Sequence, residues 1–288
     1  MTIAEALAVG IMRLRSADAA PEVRESARAD AQALLGEVLG EDVAWMLAHG
    51  GDELDADLLD IFGLLLDERM RGVPVPYLTG RAGFYGREFF VDERVLVPRP
   101  ESEHLVAAAL AELERRPREI LRALDVGTGS GALAVTLAAE LAHVHVTATD
   151  VSADALQVAK RNVRDHHVDE RVTLLQCDLV DGVAGQRFDC IVANLPYVPS
   201  AELPSPLNPV GFEPALALDG GADGLGVYRR FVARLGEITT PGAGVVMEAA
   251  PPTIAPLARL LQQTYPAANV TIGSDYAGLE RFIIASMA

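Results

Sequence analysis

The sequence predicts an α/β protein: a doubly wound, mostly parallel sheet preceded by a small helical bundle and a β-hairpin connector. Three observations predict it. From Ile120 onward, short apolar runs alternate with amphipathic stretches, the pattern of buried parallel strands separated by helices. Residues 1–73 instead carry apolar residues at three- and four-residue steps. Between these parts, residues 74–100 are rich in Gly, Pro, aromatics and Val and read as turns and a hairpin.

The elements follow in order. Ile3, Leu7, Ile11 and Leu14 mark a first helix, and Ala27, Ala31, Leu34, Leu35 and Val38 a second, which Gly36 and Gly40 weaken or end. "DELDADLLDIFGLLLDERM" gives another helix, opened by acids that suit a helix N-terminus. Helix resumes at about Glu101 and runs to about Glu114. Residues 101–288 then form the sheet domain. "LRALDV", "HVHVTATD", "RVTLLQC", "FDCIVAN", "GAGVVMEA", "ANVTIGS" and "RFIIAS" read as strands. "GALAVTLAAEL", "SADALQVAKRNV" with Ser152 as N-cap, "LGVYRRFVARLGEI" and "PTIAPLARLLQQT" read as helices.

Composition narrows the classes. The chain has 288 residues, half of them hydrophobic, enough for one large domain or for a domain of about 200 residues with a small companion. No window holds roughly 18 uninterrupted apolar residues, so no membrane span is expected. No basic region precedes the first apolar stretch, so no secretory signal is expected and the location is read as cytoplasmic. The two cysteines, Cys177 and Cys190, make neither a disulfide framework nor a zinc set, and both read as small core residues. No metal site is expected. The formal charge of −17 opposes phosphate backbones, so nucleic acid is not expected as the main partner. The basic clusters at Arg115, Arg116 and Arg118 and at Lys160, Arg161 and Arg164 read as solvated faces.

Two motifs carry chemistry. The first strand of the sheet ends in Asp125-Val126-Gly127-Thr128-Gly129-Ser130-Gly131, and the next ends in Asp150, nineteen positions beyond Gly131. Glycines at a strand's C-terminal end let a ligand approach the backbone, and an acid there can accept from a ribose diol. The spacing is G-x-G-x-G rather than the dinucleotide fingerprint, and no Lys-Ser/Thr follows as in a phosphate-binding loop. S-adenosylmethionine, with a ribose and an amino-acid tail but no phosphates, fits best. Asp178, after the third strand, could accept from the adenine amino group, and Leu179 could pack on the adenine face. An ordinary αβ turn with Asp150 capping the next helix is the plain alternative.

The second motif is Asn194-Leu195-Pro196-Tyr197 at the end of the fourth strand, expected to neighbour the first. The Asn194 carboxamide oxygen and the Leu195 carbonyl are acceptors, Pro196 stiffens the elbow and Tyr197 offers a flat face. That set suits a planar –NH2, whose delocalised lone pair needs both N–H protons held and the nitrogen aimed at a methyl donor. A strand-ending turn with a core tyrosine is the plain alternative.

Asn-Pro-Pro-Tyr at this place marks the amino methyltransferases, and this chain has the variant Asn-Leu-Pro-Tyr. Over nearly its whole length the chain resembles the protein-(glutamine-N5) methyltransferases, most of all those acting on peptide chain release factors. The likeness is carried by "LLGEVLG", "WMLAHG", "GVPVPYLTG", "FYGREFFV", "VLVPRPESEHLV", "LDVGTGSGALAVTLA", "ATDVSADALQVAKRN", "EPALALDGGADGLGVYRRF" and "DYAGLERFI". It implies a Rossmann-like S-adenosylmethionine methyltransferase sheet of seven strands, the last antiparallel. It implies that Gly127 through Gly131, Asp150 and Asn194 contact S-adenosyl-L-methionine, with Leu179 at the adenine. Asn194, Leu195, Pro196 and Tyr197 would hold the glutamine of the Gly-Gly-Gln loop of class I release factors, and the N-terminal bundle would grip the factor's body. Arg99, Pro100 and Glu101 match a Pro-Arg-Pro stretch near the site, where a rigid hinge explains them equally well.

The chain also departs from the family pattern. Leu195 replaces the first proline, so the elbow loses one φ restraint. After Glu248 the run "AAPPT" lacks the polar, glycine-containing stretch expected, which argues against a role for Glu248. Three rival readings stay open on sequence. Ribosomal RNA adenine-N6 dimethyltransferases share Asn-Leu-Pro-Tyr, but they need a basic surface and usually carry their helical domain last. A glutamine methyltransferase acting on a ribosomal protein shares the architecture. A non-catalytic binder that lost activity through Leu195 keeps the fold.

Overall fold

The computed structural model describes residues 1–203 and 209–288. By its internal contacts the chain divides into two compact units, residues 1–81 with 204–213, and residues 82–203 with 214–288.

The first unit is helical: α1 (Ile3–Leu14), α2 (Pro21–Leu39), α3 (Val43–Ala48), α4 (Ala56–Met70) and α5 (Val75–Thr79). Thr2 and Glu5 form a capping box at the start of α1, and Gly40 ends α2 in the left-handed conformation. Leu14, Val23, Ala27, Leu34, Leu35, Phe62 and Leu66 fill the core. A buried Arg69–Asp30 ion pair at 2.7 Å ties α4 to α2. Two helices add to those expected. Asp42 caps α3 by accepting from Trp45 N at 2.7 Å. Helix α5 falls in the stretch read as turns; prolines at its first turn and left-handed Gly80 at its end allow one short turn of helix.

The second unit opens with a hairpin, β1 (Arg81–Phe84) and β2 (Arg87–Phe90), as expected. Its two loop residues, Tyr85 and Gly86, have φ of 50° and 70°, the two-residue turn whose twist matches paired strands. Then come α6 (Glu103–Glu114), β3 (Leu121–Val126), α7 (Ala132–Glu140), β4 (Val144–Asp150), α8 (Ala153–Asp165), β5 (Val172–Gln176) and β6 (Phe188–Ala193). The chain continues through α9 (Ala215–Leu218), α10 (Gly226–Val232), α11 (Leu235–Ile238), β7 (Thr239–Glu248), α12 (Pro251–Thr264), β8 (Asn269–Ser274) and β9 (Glu280–Ser286). The segment expected as one helix from Leu225 to Ile238 is broken into α10 and α11. The expected N-cap of α8 is present, Ser152 accepting from Ala155 N.

The seven strands lie in the order β5-β4-β3-β6-β7-β9-β8, with β9 antiparallel to both neighbours. Apolar clusters cover both faces: Leu124, Ile191, Tyr228, Phe231 and Leu257 on one, Leu105, Ala123, Val135, Cys190 and Val246 on the other. The chain winds outward in opposite senses from β3 and β6, which pair directly, Val126 beside Ala193. A crevice at such a switch point opens beyond the C-terminal ends of the strands, where both motifs lie. The cluster at Arg115, Arg116 and Arg118 departs from a solvated face: Arg116 and Arg118 each donate to buried Asp189 at 2.9 Å, because an acid at the start of β6 needs paired charge once desolvated. Arg161 lies over the Phe90 ring at 3.7 Å, a cation–π contact.

Candidate active site

The glycine turn is built on backbone that a side chain would spoil. Gly127, Gly129 and Gly131 have φ of 74°, 54° and 81°. A Cβ on Gly131 would come within 3.2 Å of Ala159 in α8, so this glycine lets the two helices approach. At Gly129 a Cβ would enter open space, with no atom of the chain within 4 Å. Gly127 N and Thr128 N both donate to Thr149 O at 2.9 Å, which locks the turn to the end of β4. Asp150 Oδ2 accepts from Gly129 N and Oδ1 from Ser152 N, each at 2.9 Å. Each oxygen keeps a second acceptor site for a diol. Asn162, almost fully buried, donates to Ser130 O at 2.8 Å and exchanges two bonds with the Phe90 backbone, so the hairpin braces the turn. Leu179 sits at φ 50° with its carbonyl held by Thr149 Oγ1 at 2.9 Å. Asp178 instead faces Arg230 of α10 in an exposed ion pair, so its carboxylate is already engaged.

Asn194 follows β6 beside this turn. The backbone carbonyl of Asn194 lies 3.7 Å, and the Leu195 side chain 3.0 Å, from where a Cβ of Gly127 would stand. The two sequence motifs therefore meet. Among the described residues no donor reaches Asn194 Oδ1 or the Leu195 carbonyl. Leucine in place of proline restores an N–H, and that N–H is used: Leu195 N donates to Tyr228 Oη at 3.2 Å, and Tyr228 Oη donates to the Glu248 carbonyl. A hydrogen bond thus restrains the elbow where a ring would have done so.

The "DGGADG" block explains itself as a backbone clamp on the same elbow. Val198 N donates to Leu218 O at 2.9 Å, Gly220 N to Val198 O at 2.8 Å and Ser200 N to Gly221 O at 2.9 Å. Asp219 Oδ1 accepts from Ser200 Oγ and from Gly221 N.

Three residues here escaped the sequence reading: Ser102, Tyr228 and Glu248. The apolar run after Glu248 argued against it, yet its carboxylate is buried at the centre of the site. Ser102 Oγ donates to Glu248 Oε2 at 2.5 Å, Tyr197 Oη to Oε1 at 3.3 Å, and Asn194 Nδ2 to Ser102 Oγ at 3.1 Å. Burial raises the Glu248 carboxyl, and the bonds from Ser102 and Tyr197, with the Asn194 amide nearby, pull it back. Burial, with the Glu248 charge adding to it, holds the Tyr197 phenol far above its ordinary range, so Tyr197 keeps its proton. The available signal was an acid closing an otherwise apolar strand, "GVVME".

Asp125 shows a second electrostatic feature. Burial pushes its carboxyl up to about 7, against the bonds from Thr128 Oγ1 and Ala134 N and with help from the charge of Asp150. A carboxyl whose folded pKa is raised stabilises the fold fully below its unfolded pKa of about 4, and that contribution is lost as pH rises through about 7. The melting temperature should therefore fall between pH 5 and 8, and fall less in Asp125→Asn; calorimetry of the two proteins across that range checks it. An equal fall in both would refute the assignment.

Open space beside a side-chain-free turn, with an acid placed for a diol and no lysine for phosphates, fits the donor nucleoside expected from the sequence. Such a site at the switch point of this sheet puts the protein in the class of S-adenosylmethionine-dependent methyltransferases. Residues 105–204 match the family model described as methyltransferase small domain, and residues 5–80 match that of the PrmC N-terminal domain. A methyltransferase structure from Pyrococcus furiosus shares the fold, with a TM-score of 0.51 at 18% identity over 71% of this chain and 90% of that one. The release factor glutamine methyltransferase of Moorella thermoacetica is 36% identical over 99% of this chain and 98% of its own length. That of Xylella fastidiosa is 40% identical over 77% and 79% respectively. The chain belongs to the release factor glutamine methyltransferases.

Proposed function

We propose that this protein transfers a methyl group to the side-chain amide nitrogen, N5, of the glutamine in the Gly-Gly-Gln loop of class I peptide chain release factors. The observation that carries this reading is the pair of acceptor oxygens that no donor reaches among the described residues, Asn194 Oδ1 and the Leu195 carbonyl, at the switch point beside Gly127. When bound, S-adenosylmethionine supplies an electrophilic methyl group on a sulfonium. Gly127, Thr128, Gly129, Ser130, Gly131, Asp150 and Leu179 would hold it. Asp178 would join them only by leaving Arg230. Asn194 Oδ1 and the Leu195 carbonyl each accept one amide proton of the glutamine, which draws electron density onto its nitrogen and fixes its direction. Pro196 keeps the elbow rigid, and the Tyr197 ring packs on the planar amide. The proton released from the nitrogen leaves through the same oxygens to water.

Residues 1–73 would bind the factor's body, residues 74–100 connect and residues 101–288 carry the transfer. The match of residues 5–80 to the PrmC N-terminal domain supports this division. No described helix is long and apolar enough to cross a membrane. A cytoplasmic place beside the translation machinery suits the proposed partner, and the net charge of −17 speaks against nucleic acid as substrate.

The test mixes the purified protein and methyl-labelled S-adenosylmethionine with a release factor, ribosomal proteins and total ribosomal RNA. Label should enter the release factor and vanish when its Gly-Gly-Gln glutamine is replaced by alanine. Label on RNA alone, or on a ribosomal protein in preference, would overturn the assignment.

A further inference from the structure

We propose that Glu248 is a positioning residue for the transfer: acting through Ser102 it fixes which way round the Asn194 carboxamide faces, and it holds the Tyr197 ring directly. The inference rests on the acceptor role given above to Asn194 and deepens it.

A carboxamide has two ends of nearly equal size, and only one of them can accept an amide proton. A strand-end asparagine with unrestrained χ2 would present its oxygen part of the time and its NH2 the rest. Here the orientation is decided by a chain of donors. A carboxylate can only accept. Glu248 Oε2, 2.5 Å from Ser102 Oγ, therefore claims the single hydroxyl proton of Ser102. The lone pairs of Ser102 are left facing Asn194 at 3.1 Å. Only the NH2 end of Asn194 satisfies them; turned over, its oxygen would meet another acceptor. With Nδ2 held there, Oδ1 is left on the opposite side of the group, without a donor among the described residues.

The other oxygen of Glu248 accepts from Tyr197 Oη at 3.3 Å, and its backbone carbonyl accepts from Tyr228, which in turn holds Leu195 N. Asn194, Leu195 and Tyr197 are thus all referred to one residue at the end of β7, the strand parallel to β6. Ser102 closes the turn before α6, so the orientation of the acceptor is set by three separate segments.

Two independent measurements test this. In the first, the side-chain amide of Asn194 is followed by NMR, which needs no substrate. Its hydrogen exchange should quicken at least about tenfold in Ser102→Ala, through loss of the bond that protects it, and stay near the parent rate in Ser102→Thr, which keeps a hydroxyl. In the second, release-factor methylation is measured. Ser102→Ala and Glu248→Gln should each lower kcat about tenfold, with KM for the factor and the Kd of S-adenosylmethionine within about twofold of the parent. Glu248→Gln keeps the shape but offers one acceptor oxygen and one NH2 to two hydroxyl donors, so one of them must turn away. In an Asn194→Ala background, Ser102→Ala should cost less than about twofold more, because the group it orients is gone. Unchanged exchange in Ser102→Ala, or a full independent loss of kcat in the Asn194→Ala background, would overturn the proposal. If the parent protein labels no release factor, the proposed substrate fails while the exchange measurement still decides the relay.

Discussion

Asn194→Ala should lower kcat for release-factor methylation at least about tenfold and on the order of a hundredfold, the scale of losing one preorganised polar contact in an active site. KM for the factor should change much less, because the contact matters most as the amide nitrogen develops charge. The substitution removes an acceptor and leaves the Ser102 lone pairs facing empty space, while the buried apolar neighbours of β6 are untouched. Cys190→Ala is the fitting control. Cys190 lies four residues upstream on the same strand, fully buried, its thiol pushed up to about 12 by burial and so chemically inert. It should leave turnover nearly unchanged. Steady-state kinetics of the three proteins, with circular dichroism to verify folding, measures the difference. Equal activity of Asn194→Ala and the parent would refute the role given to the carboxamide.

Gly224→Ala should be the most damaging substitution outside the motif itself. A Cβ on Gly224 would stand 2.3 Å from the Tyr197 carbonyl oxygen and 3.2 Å from Thr253 Cγ2, at a φ of 75° that side chains rarely adopt. The 2.3 Å neighbour is backbone and cannot rotate away. Either the clamp opens or Tyr197 moves, and with it the elbow that carries the Leu195 carbonyl. Overpacking and left-handed strain together should cost about 2–4 kcal/mol, read as a melting temperature lower by several degrees. Turnover should fall more than stability, since a shift of about 1 Å at a positioning element can cost on the order of a hundredfold. Gly63→Ala in α4 makes the contrast: no atom lies within 4 Å of its Cβ position, and alanine favours helix, so it should be neutral or stabilising by up to about 1 kcal/mol. Comparable losses in the two variants would show that the clamp does not bear on the elbow.

Much of the architecture was legible residue by residue. Val and Ile runs gave the strands, Ser152 gave a helix start, and Gly127 through Gly131 gave the turn, because each depends on spacing within a few residues. The helices that sequence missed, α3, α5 and α9, are too short to show a period. The break between α10 and α11 has no Gly or Pro of its own to announce it. The candidate site was half legible. Asp150 and the Asn194–Tyr197 elbow stand at strand ends, where a doubly wound sheet gathers its ligands. The engagement of Asp178 by Arg230 could not be read, since the two are 52 residues apart. Nor could the Tyr228 hydroxyl that answers the Leu195 N–H.

The sequence by itself determined which elements form, where they end and which backbone positions must be bare, because dihedral preference and apolar period act locally. Only the tertiary structure decided what the Asn194 carboxamide is bonded to. Ser102 and Glu248 are 146 residues apart, and although Ser102 lies in the "VLVPRPESEHLV" block nothing local links the two. They meet because parallel pairing of β6 with β7 places one strand end beside another, and a buried carboxylate draws whatever hydroxyls that pairing brings within reach.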